Sequence, residues 1–549
     1  MVCYHKRMRN FFLYSILVAT LVPSLSYAET YDLVLRHGQI IDGTGSAAYA
    51  GDVGIKDGKI VAVGKVNGAA KQEIDVQGKV IAPGFIDVHT HAEGIAQQPK
   101  GENFVRMGVT TLVLGNCGGS ELNVGKFFSR LEKKTISPNV ATLIGHGTVR
   151  KKAMGGSFDR VPTSEEMAKM EGLVDQAMKD GAVGMSTGLI YLPGTFAKTE
   201  EIVALAKVAA KYDGIYASHM RNEGEKVTEA MEEFFNIARQ AHIRAEVSHI
   251  KLSGEANWGK TNKVIATFDA ARAEGLRVTE DQYAYTASST ELSQLIPEGA
   301  REGKKFNQRM ADPAQKAKII EEMKASRKRR GAKDYSFAVI ASYKKDKSLN
   351  GLNVVQAAKK KYGSDTMDDQ IALILDVEKN GGASAVFHGM DEKDVQAFMA
   401  LPNTMIAADS GVRTFGEGVP HPRGYGDNAR VLGRYVRDLK VLTLEDAVRK
   451  MTSLPAKTFQ FDGRGELKAG NWADIVVFDP ATVKDNATYN DPHHYATGFK
   501  LVLVNGGIVV KDDAHTGAKP GMVLRHGQKG GCACDGEVED GRLVPPHMR

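Results

Sequence analysis

Eight short apolar runs, separated by longer segments with helical periodicity, dominate the chain between residues 85 and 408. The runs cover residues 85–89, 109–114, 140–145, 182–186, 214–218, 243–248, 276–281 and 404–408. Apolar runs that alternate with helices indicate βα units around a parallel sheet. Eight such units predict a closed (β/α)₈ barrel, and the alternative is a doubly wound open sheet. We favour the barrel because polar candidate ligands follow many of the runs, and only a closed barrel brings so many strand ends together.

Short strand patterns flank the barrel on both sides. They cover residues 31–36, 39–41, 52–56, 59–64 and 79–82 before it, and 465–467, 473–478, 500–504 and 507–510 after it. The first group contains the hairpin signal Asp57-Gly58 and predicts a small antiparallel unit. Because the two groups are similar in style, we expect segments 29–83 and 463–525 to complete one small β domain beside a barrel at 84–462.

A long connection separates the seventh and eighth apolar runs. It includes a basic, helix-prone patch at residues 316–333. Connections of this length within a compact domain are usually functional or disordered. We therefore predict a lid insertion over the barrel mouth at residues 286–350.

The first 28 residues have the three parts of a secretory signal. His5-Lys6-Arg7-Met8-Arg9 is basic, residues 11–22 are apolar, and Ser26-Tyr27-Ala28 has the small residues that signal peptidase reads. The apolar part is short for a membrane span. We expect a signal peptide at 1–28 and an exported chain with no stable membrane insertion after cleavage. The location would be periplasmic in a Gram-negative source, or secreted; an uncleaved anchor is the alternative.

The charge and cysteine content of the chain argue against two classes of protein, the nucleic-acid-binding proteins and the small disulfide-stabilised proteins. The formal net charge is only +6 over 549 residues, and most Lys and Arg residues are dispersed, which argues against nucleic acid as a partner. Cleavage would leave Cys117, Cys532 and Cys534, an odd number that argues against a disulfide framework. Cys117 is then either an inert buried thiol or a metal thiolate. The last two cysteines lie in a predicted flexible tail at 526–549.

Polar side chains follow the apolar runs at the edge where barrels of this kind build their sites. His89 ends the first run and His91 follows it, while Cys117 follows the second run, His219 the fifth, His249 the sixth and Asp409 the eighth. Residues two apart on a strand point to the same side. Each residue alone has a structural explanation, such as a hydrogen-bonded interior histidine or a helix cap. Together, four imidazoles, a thiolate and a carboxylate predict a zinc site with room for two ions.

The ordered set of ligands resembles that of the amidohydrolase superfamily. Four motifs further resemble the D-aminoacylases, or N-acyl-D-amino-acid deacylases: Gly115-Asn116-Cys117-Gly118, His219-Met220-Arg221, Ser248-His249-Ile250-Lys251 and His421-Pro422-Arg423. The resemblance covers about residues 31 to 525 and implies a TIM-like metal-dependent hydrolase barrel. Many members of the superfamily bridge two metals with a carboxylated lysine of strand four, but this chain has Val183-Gly184-Met185-Ser186-Thr187 there. Cys117 matches the cysteine that acts as metal ligand in D-aminoacylases.

The resemblance also implies the roles of individual residues. Cys117, His219 and His249 would hold a tight Zn²⁺, and His89 and His91 a second, weaker site. Asp409 would be the catalytic acid and base. The substrate carboxylate would be bound by Lys251, Tyr283, Ser289 and Arg423, with Tyr285 as the alternative to Tyr283. These residue types suit carboxylate binding because arginine donates two hydrogen bonds to a carboxylate and lysine adds a point charge.

The implied activity is zinc-dependent hydrolysis of a small-molecule N-acyl-D-amino acid to a carboxylate and a free D-amino acid. Three alternatives remain open at this point. Two are enzymes on the same barrel: a cyclic-amide hydrolase of the hydantoinase or dihydroorotase kind, and a D- or isoaspartyl dipeptidase. The third is an exported, non-catalytic protein that binds a metal or ligand. The sequence leaves the oligomeric state and the acyl and side-chain preferences open.

Overall fold

The computed structural model describes residues 1–2, 31–527, 538–539 and 542–543. The predicted signal peptide beyond residue 2, and the tail segment that contains Cys532 and Cys534, lie outside the described residues and stay predictions. Among the described residues, no helix has the length and apolar character needed to cross a membrane.

The described strands number 23 in chain order. They are β1 Tyr31–Ile40, β2 Tyr49–Lys56, β3 Lys59–Gly64, β4 Ala70–Asp75, β5 Val80–Pro83, β6 Phe85–Asp87, β7 Val109–Leu114, β8 Asn139–Thr142, β9 Ile144–Gly145, β10 Gly184–Gly188, β11 Ile215–His219, β12 Arg244–Val247, β13 Val278–Gln282, β14 Ala287–Glu291, β15 Ala338–Ser342, β16 Ser384–His388, β17 Thr404–Ile406, β18 Ile475–Phe478, β19 Phe499–Val504, β20 Gly507–Lys511, β21 Ala514–His515, β22 Val538–Glu539 and β23 Arg542–Leu543.

The described α-helices are α1 Glu102–Val105, α2 Val124–Lys134, α3 His146–Met154, α4 Ser164–Lys179, α5 Thr199–Ala210, α6 Val227–Ala241, α7 Thr261–Ala273, α8 Glu298–Arg301, α9 Phe306–Ala311, α10 Pro313–Arg329, α11 Val354–Tyr362, α12 Met367–Lys379, α13 Glu392–Met399, α14 Arg423–Arg430, α15 Leu444–Met451 and α16 Ser453–Phe459. Capping residues in the sequence explain where several of these helices begin. The side chain of Thr163 accepts from the Glu166 amide and the Glu166 carboxylate accepts from the Thr163 amide, a capping box that begins α4.

Parallel strands form the barrel that the sequence predicts. β6, β7 and β8 are neighbours, and β9 continues through β10, β11, β12 and β13 to β17. One residue separates β8 from β9, and a parallel bridge from Thr90 to Ser410 joins the end of β6 to the end of β17, which closes the ring. The (β/α)₈ fold is therefore confirmed, and each predicted run contains a barrel strand. Strands such as β7 are buried along their whole length because helices cover the outside of the barrel.

The segments on either side of the barrel share one nine-stranded sheet. β5 pairs antiparallel with β18, so Ile81 lies opposite Val477. The predicted all-antiparallel arrangement of the first segment is wrong, because β1 pairs antiparallel with β2 but parallel with β4 and β5. The pattern at 465–467 is not a strand, since Gly463 and Gly465 turn the chain with φ of +69° and +81°.

A second, smaller sheet of β14, β16 and β15 lies within the long connection and its continuation. It packs with α10, α11 and α12 around a separate apolar core that includes Met323, Leu373 and Phe387. The basic patch predicted at 316–333 falls largely on α10, which begins where the Asp312 side chain accepts from the amides of Ala314 and Gln315. That this unit acts as a lid stays a prediction.

Candidate metal centre

Four predicted ligands meet at the carboxyl end of the barrel. The Cys117 Sγ atom lies 3.3 Å from His89 Nε2, 3.6 Å from His249 Nε2 and 3.8 Å from His219 Nδ1. These residues come from four different strand ends: after β6, β7 and β12, and at the last residue of β11. The closed barrel therefore places one sulfur and three imidazole nitrogens around one point.

A second group adjoins the first and shares His89 with it. The Asp409 Oδ1 atom lies 3.2 Å from His91 Nε2 and 3.7 Å from His89 Nε2. Atoms of His89, His91 and Asp409 are close enough together to hold one cation, and so are those of His89, Cys117 and His249. These two groups share His89 and contain four of the five predicted metal ligands together with the predicted acid and base, and the fifth ligand, His219, lies 3.8 Å from Cys117 Sγ.

Three of these residues adopt a backbone conformation that non-glycine residues rarely use. The φ angles of Cys117, His249 and Asp409 are +52°, +38° and +46°. Left-handed backbone at a non-glycine residue costs free energy and often marks a functional site. In each case the chain turns sharply just after a barrel strand, so that the side chain lies over the barrel mouth rather than along the strand.

Ser186 of β10, the fourth strand of the barrel, supports the loop that carries Cys117. The Ser186 hydroxyl of β10 donates to the Gly115 carbonyl oxygen and accepts from the Gly118 amide at 3.0 Å. The Asn116 side chain donates to the carbonyl oxygens of Val88 and Val113. β10 therefore holds the loop that carries the cysteine, at the strand where the superfamily lysine would otherwise stand.

Two buried aspartates hold the histidines in place, and the sequence analysis did not identify either of them. Asp281, in β13, has one carboxylate oxygen 3.2 Å from His89 Nδ1 and accepts from the His249 amide at 3.0 Å with the other. Asp87 accepts from the amides of His89 and Ala408. A carboxylate on the far nitrogen of a histidine fixes its tautomer and orientation, which leaves His89 Nε2 free to ligate.

Glu223 is a third carboxylate behind the candidate ligands, half-buried, that the sequence analysis missed. Its Oε1 atom lies 2.9 Å from His249 Nδ1 and 2.6 Å from Lys251 Nζ, and its Oε2 atom lies 3.6 Å from His219 Nε2. It therefore contacts the outward nitrogens of two candidate ligands. Glu223, His219 and His249 could themselves hold a cation, but the Lys251 ammonium already lies against this carboxylate and 2.7 Å from His249 Nδ1.

Replacing Glu223 by glutamine is expected to weaken metal affinity about 10- to 100-fold, the usual effect of losing a carboxylate behind a metal-ligating histidine. Glutamine keeps the size and one acceptor of Glu223 but lacks the charge. The measurement is metal retention during titration with a competing chelator. Glu225, two residues further on and exposed at the same cavity, gives the matched control Glu225→Gln. Equal retention by both variants and the unmodified protein would show that Glu223 does not support the site.

Burial determines the protonation of the ligands. It raises the pKa of the Cys117 thiol well above its ordinary value and lowers the pKa of the His89 and His219 imidazoles. Neutral imidazole is the form that binds a metal. A thiolate in so buried a place requires a cation beside it, because desolvation disfavours an isolated negative charge.

Asp409 is buried and ionised. Burial opposes its ionisation, but the Arg423 guanidinium, whose Nη1 lies 3.0 Å from Asp409 Oδ2, and the neighbouring imidazoles hold the pKa of this carboxyl well below its usual range. The acidic partner of Arg423 is therefore the predicted acid and base itself. Asp409 consequently carries a negative charge that faces both His91 and Arg423.

The predicted carboxylate-binding residues lie beside the metal ligands. The Arg423 guanidinium carbon is 4.5 Å and the Lys251 ammonium 5.7 Å from the centre of the Tyr283 ring. Arg423 also donates to the Ser289 carbonyl oxygen. Tyr285, the alternative to Tyr283, instead contacts Arg430 and Asp485. The geometry favours Tyr283 for a role at this site.

Two cavities open on either side of the candidate metal centre. A cavity of about 720 Å³ is bordered by His91, Cys117 and Asp409, and one of about 330 Å³ by His219, His249, Lys251, Tyr283 and Asp409. Asp409, Tyr191, Ser289 and Thr290 line both. A bound molecule can therefore extend in two directions from the point where the ligands meet.

The donor set fits a zinc ion. Sulfur and nitrogen atoms bound to the same tetrahedral zinc lie about 3.6 Å apart, given the usual zinc–ligand distances. The three distances measured from Cys117 Sγ lie close to this value. Thiolate with imidazole is also a combination that zinc prefers.

Comparisons with known proteins agree with this geometry. The amidohydrolase family matches residues 72–510. A D-aminoacylase of Alcaligenes xylosoxydans xylosoxydans is 35% identical over 91% of this chain and 99% of its own length.

Solved structures of similar proteins contain metals. The N-acyl-D-glutamate deacylase of Bordetella bronchiseptica, in complex with zinc and a phosphonate that mimics the tetrahedral intermediate, is 34% identical and superposes with a TM-score of 0.78 over 90% of this chain and 100% of that one. A D-aminoacylase with a binuclear metal centre, described as activated by one metal and attenuated by the second, has the same identity, TM-score and coverage.

Proposed function

Because the chain belongs to the amidohydrolase family, we propose that it is a zinc-dependent deacylase that hydrolyses N-acyl-D-amino acids to a carboxylate and a free D-amino acid. One observation carries the proposal: the cluster of Cys117, His89, His219 and His249 adjoins an ionised Asp409 paired with Arg423. A metal-binding group, a proton acceptor and an anion-binding group thus share one site. The similarity to D-aminoacylase supports the D configuration of the substrate.

Cys117, His219 and His249 would hold the tight zinc, with His89 and His91 at a second position beside it. Zinc in such a site supplies a Lewis acid that polarises the acyl oxygen and lowers the pKa of a bound water. The side chains supply the remaining functions. Asp281 and Glu223 orient the histidines, and the buried position of Cys117 keeps the sulfur away from bulk water.

Asp409 accepts the proton of the attacking water as general base and then donates it to the leaving nitrogen as general acid. The substrate carboxylate competes with Asp409 for Arg423. Binding of the substrate to Arg423 therefore weakens the ion pair that holds the pKa of Asp409 low, and the carboxylate becomes a better base when substrate is present.

The arrangement argues against two of the three alternatives. A hydantoin lacks the free carboxylate that Arg423 and Lys251 would bind, and the absence of a lysine in β10 to bridge two metals counts against both kinds of cyclic-amide hydrolase. A protein that only binds a metal has no need of an ionised carboxylate beside two open cavities.

A panel of N-acetyl D- and L-amino acids, assayed together with metal content, tests the proposed function. We expect hydrolysis of D substrates only, by protein that carries about one tightly bound zinc per chain. Hydrolysis of hydantoins in preference to linear amides would contradict the proposal.

Replacing Arg423 by alanine is expected to weaken transition-state binding of N-acetyl-D-amino acids by about 2–4 kcal/mol, the effect of removing one partner of a desolvated charge pair. Arg423 is 2% exposed, so water cannot replace it easily. The measurement is kcat/KM for each N-acetyl-D-amino acid and for the corresponding amide.

The amides give an internal control because they lack the carboxylate. We expect them to be poor substrates of the unmodified enzyme and to lose less activity in the variant, namely only the part that follows from leaving Asp409 without its ion-pair partner. Arg423→Lys keeps the charge but not the planar fork, and should recover part of the loss. Equal hydrolysis of acids and amides by the unmodified enzyme would contradict a carboxylate-binding role for Arg423.

A further inference from the structure

The smaller cavity extends from the metal ligands to the end of α10. Under the proposed function it receives the amino-acid half of the substrate, because Lys251 and Tyr283 line it and neither lines the larger cavity. The acyl half then extends into the larger cavity. The lining of the smaller cavity beyond Lys251 and Tyr283 should therefore indicate which side chain the enzyme accepts.

This lining has two parts. One wall is apolar and consists of Ile190, Leu295, Ile296, Pro297 and Phe387. The far end carries the consecutive arginines Arg329 and Arg330, which follow Ser326 on the last turn of α10. An apolar wall that ends in guanidinium groups suits a side chain with a short hydrocarbon stem and an anionic tip.

Arg330 is the more informative of the two arginines. It is half-buried and packs against the loop that leads away from Lys251, since its backbone lies next to Gly254. Its guanidinium lies 5.9 Å from the centre of the Phe337 ring, and within the described part of the chain it forms no ion pair or side-chain hydrogen bond. Burial lowers the pKa of this guanidinium, whereas Tyr335 and Glu223 raise it.

The other charges at this cavity are already paired or are exposed. Lys251 pairs with Glu223, and Arg221 pairs with Glu233. Glu225, Glu298 and Glu322 also line the cavity, but all three are exposed, where water and salt screen their charge. Among the described residues, Arg330 is thus a half-buried cation of this cavity whose guanidinium is left to bind the anion of a ligand.

We infer that Arg330 binds a second carboxylate of the substrate, and that the enzyme prefers N-acyl-D-amino acids with an acidic side chain. The inference rests on the proposed function and extends it from a reaction to a substrate class. The second carboxylate could instead belong to the acyl group, as in an N-succinyl amino acid, and the experiment distinguishes the two sources.

The test compares kcat/KM of the zinc-loaded enzyme for N-acetyl-D-glutamate, N-acetyl-D-glutamine, N-acetyl-D-leucine and N-succinyl-D-leucine. We expect glutamate to exceed glutamine by at least about tenfold, because the two differ only in the charge that Arg330 would bind. Arg330→Gln should lower the value for N-acetyl-D-glutamate by about tenfold or more and change the value for N-acetyl-D-glutamine less than about threefold. Arg330→Lys should retain part of the preference.

Lys328→Gln is the matched control, since Lys328 is exposed on the same turn and lies outside the residues that line the cavity. Zinc content and thermal unfolding of each variant show whether it is folded and loaded. A variant Arg330→Gln that loses activity equally on all four substrates would overturn the inference. So would a selective loss on N-succinyl-D-leucine, which would place the second carboxylate on the acyl half.

The same four substrates distinguish an enzyme without this side-chain preference from a protein that is not a deacylase. If N-acetyl-D-leucine and N-acetyl-D-glutamine are hydrolysed as well as N-acetyl-D-glutamate, the enzyme is a deacylase without this preference. If none of the four compounds is hydrolysed, the proposed function itself is wrong.

Discussion

Cys117→Ala is expected to remove the tightly bound zinc and to lower turnover by at least about 10²-fold, more than losing a carboxylate behind a metal ligand usually costs. The reason is the central position of the sulfur, which lies within 3.8 Å of nitrogens of His89, His219 and His249. Alanine removes the only anionic ligand among these four and leaves a gap that neutral imidazoles cannot fill. The measurement is zinc per chain after dialysis, by elemental analysis.

The control for Cys117→Ala excludes zinc bound by the two cysteines of the tail. Cys532 and Cys534 could retain zinc on their own, so the comparison is made in a Cys532→Ser/Cys534→Ser background. Thermal unfolding without metal shows whether Cys117→Ala still folds. Full zinc occupancy in the folded variant would remove Cys117 from the ligand set.

Asp409→Asn is expected to retain the fold and the zinc but to lower turnover by at least about 10²-fold. Asparagine has nearly the same shape and can still contact His91 and Arg423, but it cannot accept and return a proton. The measurement is kcat for an N-acetyl-D-amino acid, together with zinc content.

Glu417→Gln provides the matched control, because Glu417 lies on the same loop, is exposed and lines the larger cavity. Glu417→Gln removes a carboxylate charge in the same conservative way as Asp409→Asn. The activity of this variant should stay within about twofold of that of the unmodified enzyme, as for most surface substitutions. Near-normal turnover of Asp409→Asn would show that Asp409 only orients its neighbours.

The barrel could be predicted from the sequence because its strands are buried on both faces and therefore read as continuous apolar runs. β4 could not, since Lys71, Gln72 and Glu73 give it no apolar alternation and its place depends on parallel pairing with β1. The small sheet of β14 to β16 also escaped prediction. Its strands are short, and β16 lies far along the chain from β14, so only tertiary pairing defines them.

The candidate ligands could be predicted because each one lies at the end of an apolar run or within three residues after it, and belongs to a recognisable motif. Asp281 and Glu223 could not be placed in this way. Asp281 is the fourth residue of its strand, and its role depends on His89, a distant partner in sequence. Glu223 comes after the motif His219-Met220-Arg221, in a loop whose path over His249 the sequence does not specify. Arg423 was predicted to bind the substrate carboxylate, but its ion pair with Asp409 depends on how the loop folds, which the sequence does not specify.

The pairing of β5 with β18 has a consequence for the order in which the chain can fold. Ile81 and Val477 are neighbours in this sheet, and nearly the whole barrel lies between them in sequence. During synthesis, β5 therefore keeps one open edge until the last part of the chain has emerged, and open edges template association with other chains. Contacts of such long sequence separation also form slowly. The newly made protein thus remains incomplete and prone to aggregation until its final strands arrive, which makes prompt capture by a chaperone more important for this chain than for one whose sheet closes locally.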